Sequence, residues 1–235
     1  MEFPKKERYT LEDLLEITRI LRSENGCPWD REQDHHSIRR EFLEEAYEAV
    51  EAIDTDNPVL LREELGDVLF QVVFHAQIEA EKGVFDFSDV VHDVTEKMVV
   101  RHPHVFGEVK AQNVDEALQS WDAVKMTLKD QKTQAEVLRS ITPAMPALMR
   151  TEKILKKAEK AGANGSEAEN LSAAWHALEA LQANDPDEET RIGELLLAVT
   201  DLARRRGIHA EDALAAAASR YIDAFEAAYS AKVSK

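Results

Sequence analysis

The chain has 235 residues, 46 of them acidic and 29 basic, and a formal net charge of −17. Its eight glycines and seven prolines are few for the many turns of a β-sandwich or β-barrel, and its acidity argues against nucleic-acid binding, which needs clustered Lys and Arg. A single cysteine, Cys27, excludes a disulfide framework and a cysteine-based zinc site.

Membrane insertion and secretion are not expected from this sequence. No apolar run reaches the roughly 18 residues that a membrane span requires. The first ten residues lack the apolar core of a signal peptide. We therefore expect a cytoplasmic protein with no membrane partner and no nucleic-acid partner.

The first half of the chain is predicted to be helical. Thr10 is a suitable N-cap for the first helix, with Asp13 in the position of a capping box. Gly26 and Pro28 interrupt the helical pattern, Pro58 starts the third helix, and Gly83 ends it. The predicted helices are 10–22, 37–53, 58–82, 88–102 and 114–129.

The second half has the same character after a break. Residues 132–147, which contain Pro143 and Pro146, resemble a linker or a short docking segment. No convincing strand alternation is present anywhere. Four more helices are predicted, at 147–160, 167–182, 188–205 and 210–231. We therefore expect an all-α fold, with domains at 1–131 and 148–235 joined by 132–147.

The two halves also resemble each other. Residues 41–52 align with 169–180, and residues 64–70 align with 191–197, which places Gly66 on Gly193. The spacing of about 127 residues indicates duplication of a domain and not a solenoid of short repeats.

Two acidic pairs carry the strongest chemical signal. Glu45 and Glu48 lie three residues apart on one predicted helix, and Glu64 and Asp67 do so on the next, so each pair shares a face. A helical wheel places Glu45 and Glu48 on one flank of the apolar stripe of the second helix and Glu44 on its solvent side. On the third helix it places Glu64 nearer the apolar stripe than Glu63.

The third helix is apolar nearly all round, because Phe70 and Phe74 lie opposite its main apolar stripe. Converging carboxylates on a buried helix would raise one another's pKa, and a divalent cation would relieve that repulsion. An all-oxygen set of ligands suits Mg²⁺ or Mn²⁺. The alternative is a solvated face, since Glu-rich helices with this spacing are common.

Several longer motifs resemble one known family, the MazG nucleoside triphosphate pyrophosphohydrolases. The motifs are GCPWDREQ (26–33), LEEAYEAVEAI (43–53), EELGDVLFQVVFHAQ (63–77), RHPHVFG (101–107) and PALMRTEKILKKA (146–158). The resemblance implies tandem four-helix-bundle halves, dimers, dependence on Mg²⁺ with Mn²⁺ as a possible substitute, and cleavage of NTPs and dNTPs to nucleoside monophosphate and pyrophosphate. It also implies a role in cleansing the nucleotide pool or in controlling stringent-response nucleotides.

The resemblance also assigns roles to particular residues. The family's metal-binding and catalytic carboxylates match Glu45, Glu48, Glu64 and Asp67. Its substrate-binding positions match Lys97, Arg101, Trp121 and Lys125, with the indole near the base and the three cations near the phosphates. For Lys97 and Arg101 the alternative is surface charge, and for Trp121 it is a place in the core.

Other conspicuous residues receive structural interpretations. Trp29 and Asp30 are read as a turn and helix start. His75 is read as a hydrogen-bonded helix histidine, although His75, His102 and His104 could also suggest acid–base chemistry. A single Glu-x-x-His, at Glu32, argues against a di-iron bundle, which needs two.

The second half is predicted to be a degenerate, structural copy of the first. The alignment places Ala173 on Glu45, His176 on Glu48, Arg191 on Glu64 and Glu194 on Asp67. An arginine at such a position would repel Mg²⁺. The sequence therefore favours an enzyme whose site lies in the first half; the alternative is a non-catalytic helical module that binds nucleotides or a protein partner.

The two apolar faces of the third helix also lead to a prediction of assembly. One small bundle cannot cover both faces. We therefore expect a homodimer that buries Phe70, Phe74 or both.

Overall fold

The structure is a computed structural model that describes residues 3–107, 110–114, 116–117, 121, 133–163, 165–183 and 186–233. The chain divides into two compact units, 1–125 and 126–235. Within the described residues all regular secondary structure is helical, as the composition and periodicity predicted. No helix among these residues is long and apolar enough to cross a membrane.

The first unit contains six helices within the described residues. They are α1 (Leu11–Leu21), α2 (Pro28–Glu32), α3 (Arg39–Asp54), α4 (Pro58–Lys82), α5 (Phe87–Arg101) and α6 (Pro103–Phe106). The short helix α6 was not predicted, and for α2 only a turn and helix start at Trp29 and Asp30 were expected. Residues 114, 116, 117 and 121 are also helical; the rest of the predicted helix 114–129, with Lys125, lies outside the described residues.

Local signals begin and end these helices where the sequence indicated. The Thr10 side chain accepts from the Asp13 amide, and the Asp13 side chain accepts from the Thr10 amide, which completes a capping box at α1. Gly83 closes α4 in the left-handed conformation, with φ of 68°. Gly26 is required by space, because a Cβ there would lie 2.2 Å from the carbonyl oxygen of Ile20.

Helices α3 and α4 form an antiparallel hairpin, which is the centre of the first unit. Asp56, with φ of 49°, and the N-cap Asn57 make the tight connection between them. Small buried residues, Ala49 and Ala52, allow the backbones of the two helices to approach closely. Helix α1 packs against α4 on another side, and α5 packs against it as well.

Arg22 ties the PWD segment to this framework. Its Nη1 donates to the Asp30 carbonyl at 2.6 Å, its Nε donates to Glu81 at 2.8 Å, and its guanidinium lies 5.0 Å from the centre of the Phe74 ring. The segment around Asp30 is thus held against α1 and α4, in agreement with its structural interpretation.

The homodimer was expected to bury Phe70, Phe74 or both, and of these two the structure already covers Phe74 within the chain. Phe74 is only 3% exposed and packs with Ile38 and Ile78, and the half-buried Phe70 packs against that cluster. The residue Ile38, just before α3, covers this face within the chain. Seven large apolar residues of the hairpin remain exposed: Leu43, Tyr47, Val50, Ile53, Val59, Leu65 and Leu69.

The second unit contains five helices within the described residues. They are α7 (Gln134–Arg139), α8 (Ala147–Lys160), α9 (Glu167–Gln182), α10 (Glu188–Arg205) and α11 (Ala210–Val233). Helix α7 lies inside the segment predicted as a linker and packs against α8. Its capping box, formed by Thr133 and Glu136, starts it there.

The α9–α10 hairpin repeats the burial pattern of α3–α4. Leu43 and its aligned counterpart Leu171 are 48% and 49% exposed, and Tyr47 and Trp175 are 57% and 63% exposed. Buried positions also correspond, since Val73 aligns with Thr200 and each is 1% exposed. The two hairpins therefore share both a buried seam and an exposed apolar face.

Candidate metal centre

The four predicted metal ligands all lie on the α3–α4 hairpin. Glu45 is half-buried and lies on the side of α3 that faces α4, the same side as Ile38 and Ala49. Glu64 begins the corresponding line on α4 and is only 7% exposed. Their neighbours Glu44 and Glu63 are exposed.

Three of the four carboxylates converge. One carboxylate oxygen from each of Glu45, Glu48 and Glu64 lies within 4.8 Å of the others. Asp67 is exposed and is not part of this close group, but its charge acts on both Glu45 and Glu64. The hairpin thus brings together three of the predicted ligands, with the fourth close enough to interact electrostatically.

The electrostatics of the cluster are unfavourable in the absence of a cation. Burial raises the pKa of Glu64 above its ordinary value, and the negative charges of Glu48 and Asp67 raise it further. Burial also raises the pKa of Glu45, with contributions from Asp67 and Glu48. A divalent cation would reverse these effects, because each ionised carboxylate would then have a positive partner.

The donor set fits Mg²⁺. All candidate ligand atoms are carboxylate oxygens, which Mg²⁺ prefers, and soft sulfur or imidazole donors are absent from the group. Glu48 and Asp67 are exposed, so solvent and phosphate oxygens can reach the same position. Mn²⁺ has similar ligand preferences.

Two of the predicted substrate-binding residues, Arg101 and Trp121, contact each other. The Arg101 guanidinium lies over the Trp121 ring, 5.4 Å from its centre. Lys97 is exposed on α5, one turn before Arg101. Lys125 lies outside the described residues.

Sequence reasoning did not find the aromatic contacts around Trp121. The His102 ring lies 4.7 Å from the indole, and the His104 ring lies 5.6 Å from His102. The only signal for this cluster is the HPH spacing, which does not indicate which distant aromatic residue it will meet. His75, by contrast, is hydrogen-bonded to His35 at 2.7 Å, as its structural interpretation predicted.

The aligned positions of the second unit also come together, but with different chemistry. A cleft between α9 and α10 is lined by Ala173, His176, Arg191 and Glu194, among others. Arg191 donates to Glu194 at 2.7 Å. A guanidinium thus accompanies the remaining carboxylate.

Comparison with known proteins places this architecture in one family. The model of the MazG nucleotide pyrophosphohydrolase domain matches residues 33–106, which include α3, α4, α5 and α6. The nucleoside triphosphate pyrophosphohydrolase/pyrophosphatase MazG of Thermotoga maritima is 36% identical over 225 residues, covering 94% of this chain and 86% of that protein.

Two further relatives carry the name nucleoside triphosphate pyrophosphohydrolase. The protein of Escherichia coli K12 is 38% identical over 220 residues, covering 90% of this chain and 84% of that protein. The protein of Mycobacterium tuberculosis is 37% identical over 137 residues, covering 57% of this chain and 41% of that protein. Because the first two similarities extend over most of both sequences, the chain belongs to the MazG family of nucleotide pyrophosphohydrolases.

Proposed function

We propose that this chain is a Mg²⁺-dependent nucleoside triphosphate pyrophosphohydrolase, which cleaves NTPs and dNTPs to nucleoside monophosphate and pyrophosphate. The observation that carries the proposal is the convergence of Glu45, Glu48 and Glu64 at the buried seam of α3 and α4. The names of the relatives support the choice of substrate. The cellular role would be cleansing of the nucleotide pool or control of stringent-response nucleotides.

The candidate site residues would have separate roles in metal binding, phosphate binding and orientation of water. Glu45, Glu48, Glu64 and Asp67 would hold Mg²⁺, which supplies charge neutralisation for the triphosphate and the departing pyrophosphate when it is bound. Arg101 and Lys97 would donate charge-assisted hydrogen bonds to phosphate oxygens. Glu48 and Asp67, the exposed members, would also be able to orient an attacking water at the α-phosphorus.

The alternative is a non-catalytic helical module. Comparison of the two units of this chain argues against that alternative. The second unit keeps the hairpin, its buried seam and its exposed apolar face, yet has Ala173, His176 and Arg191 where the first unit has glutamates. The hairpin fold therefore does not require these acids. Their presence in the first unit, at a cost in electrostatic repulsion, favours a chemical role there.

We also propose that the chain forms a homodimer through the exposed apolar face of the hairpin. Leu43, Tyr47 and Leu65 are large apolar residues that lie on this face and are about half exposed. Gly66 on the same helix has open space where a Cβ would be. A glycine in an exposed helix costs roughly 1 kcal/mol relative to alanine, so close approach of a second chain would explain its use.

The test is direct. The chain is incubated with each of the eight common NTPs and dNTPs, with Mg²⁺, with Mn²⁺ or with EDTA, and both pyrophosphate and nucleoside monophosphate are quantified. We expect equal amounts of the two products with either metal and none with EDTA. Glu64→Gln is the matched control for a contaminating phosphatase. Nucleotide binding without product from any of the eight substrates would favour the non-catalytic module.

A further inference from the structure

The RHPHVFG segment folds into a compact turn around Trp121. Arg101 is the last residue of α5, His102 caps that helix, and Pro103 starts α6. This reversal brings the His102 ring edge-on to the indole, at 4.7 Å and 67°. The centre of the Phe106 ring lies 6.5 Å from the centre of the His102 ring.

The orientation of the His102 ring is fixed by a hydrogen bond. Its Nδ1 lies 2.6 Å from the carbonyl oxygen of Met98, which can only accept, so Nδ1 carries the proton. The ring therefore cannot turn over without losing this bond. His102 is thus a rigid surface against which Trp121 packs.

Trp121 in turn supports Arg101. The guanidinium lies 5.4 Å from the centre of the indole ring, which is the geometry of a cation–π contact. The Arg101 Nε is shielded from solvent and has no hydrogen-bond acceptor among the described residues. The His104 Nδ1 is also shielded from solvent and has no hydrogen-bond partner among the described residues. The Arg101 Nε can only donate, so its missing partner is an acceptor, which a bound ligand or a water would supply.

We propose that His102 is a positioning residue for nucleotide binding: its ring holds Trp121, and through Trp121 it holds Arg101 ready for the triphosphate. This inference rests on the proposed function, since it assumes that the ligand is a nucleotide. His102 itself does not contact the substrate. Its loss therefore weakens substrate binding and leaves the chemical step at the carboxylates intact.

Kinetics with the NTP that gives the highest rate separate these effects. An edge-on aromatic contact is worth about 0.5–1.5 kcal/mol, so His102→Ala should raise KM about 2- to 13-fold while kcat is unchanged. His102→Phe keeps the ring that packs on Trp121 but loses the Met98 bond that orients it, and should therefore recover part of the affinity. His102→Asn keeps a donor near Met98 and loses the ring, and should behave like His102→Ala. His92→Ala, at an exposed histidine of the same helix, is the matched control.

Binding is followed independently of hydrolysis. In a chain carrying Trp29→Phe and Trp175→Phe, Trp121 is the only tryptophan, and its emission is titrated with α,β-methylene-ATP and Mg²⁺. We expect a saturable change whose Kd increases with His102→Ala and recovers with His102→Phe. If the titration shows these changes but the chain hydrolyses no nucleotide, the proposed function is rejected and the positioning role of His102 is retained. A normal KM in His102→Ala, a fall in kcat instead of affinity, failure of His102→Phe to recover, or no emission change would overturn the positioning role.

Discussion

Glu64 of α4, which is only 7% exposed, brings a carboxylate oxygen to within 4.8 Å of one from Glu48 on α3. Two negative charges so close, one of them buried, destabilise the hairpin unless a proton or a cation lies near them. The proposed function and the stability of the metal-free chain therefore make opposite demands on this position.

The first prediction is that Glu64→Gln lowers activity and raises stability. Removal of one metal ligand should reduce turnover about 100-fold or more, and loss of a repelled buried charge should raise the melting temperature of the metal-free chain. Pyrophosphate release and thermal unfolding in EDTA measure the two effects. Glu45→Gln, Glu48→Gln and Asp67→Asn should also lower activity about 100-fold. Near-normal activity in any two of the four variants would reject this ligand set.

The second prediction is that Mg²⁺ stabilises the folded chain at this site. A ligand that binds only the native state adds about 2.7 kcal/mol to the free energy of unfolding at a hundredfold excess over Kd. Denaturant unfolding with and without Mg²⁺ should show an increment for the wild-type chain. The increment should be small or absent in Glu64→Gln, whereas Glu63→Gln, at the exposed neighbour, should keep it.

The third prediction concerns pH. Burial lowers the pKa of His75 below its ordinary value of 6.5, and the neighbouring His35 lowers it further. The unfolded chain therefore binds more protons than the folded chain as the pH falls below about 6.5, so this histidine makes stability decrease on acidification.

His75→Gln isolates that effect. Melting temperatures are measured in EDTA from pH 8 to pH 5. The melting temperature of wild type minus that of His75→Gln should decrease as the pH falls. The raised pKa values of Glu45 and Glu64 have the opposite effect on stability, because at these carboxyls the folded chain binds more protons than the unfolded chain. This effect is the same in wild type and in His75→Gln, so it cancels in the difference. A difference that stays constant across this range would contradict the assignment.

The fourth prediction is that the second unit carries no catalytic carboxylate. Glu194 aligns with Asp67 but is paired with Arg191 at 2.7 Å. Glu194→Gln should therefore leave kcat and KM within about 2-fold of wild type, whereas Asp67→Asn should not. Loss of activity in Glu194→Gln with unchanged folding would assign chemistry to the second unit.

The fifth prediction separates helix stability from assembly. Gly66→Ala meets no atom within 4 Å and should stabilise α4 by up to about 1 kcal/mol in the monomer. If a second chain packs closely at this position, the added methyl should weaken the dimer, which light scattering over a dilution series would measure. A chain that is monomeric at micromolar concentration before any substitution would rule out the dimer.

Much of the helical framework could be predicted because its determinants are local. The bounds of α4, α8, α9 and α10 follow from caps, prolines and the 3.6-residue period, all of which act within a few residues. The short helices α6 and α7 were missed, and only the start of α2 was expected, because four to six residues carry too little periodicity.

The burial of particular faces could not be predicted in the same way. The wheel of α4 shows two apolar faces, but only the tertiary structure shows that Ile38 covers Phe74 while Leu65 is left exposed. The candidate ligands were accessible to sequence reasoning because both acidic pairs lie on consecutive helices. The contact of His102 with Trp121 joins separate segments of the chain, and no local pattern encodes it.

The compactness of the α3–α4 hairpin also has a consequence for how the protein folds. All four candidate ligands lie between residues 45 and 67, and the turn that brings them together is the short segment 55–57. Closing so small a loop costs little chain entropy, and contacts of low sequence separation form rapidly. The carboxylates should therefore meet early in folding, before the second unit is complete, and their mutual repulsion should already act on the hairpin while the rest of the chain is still being synthesised.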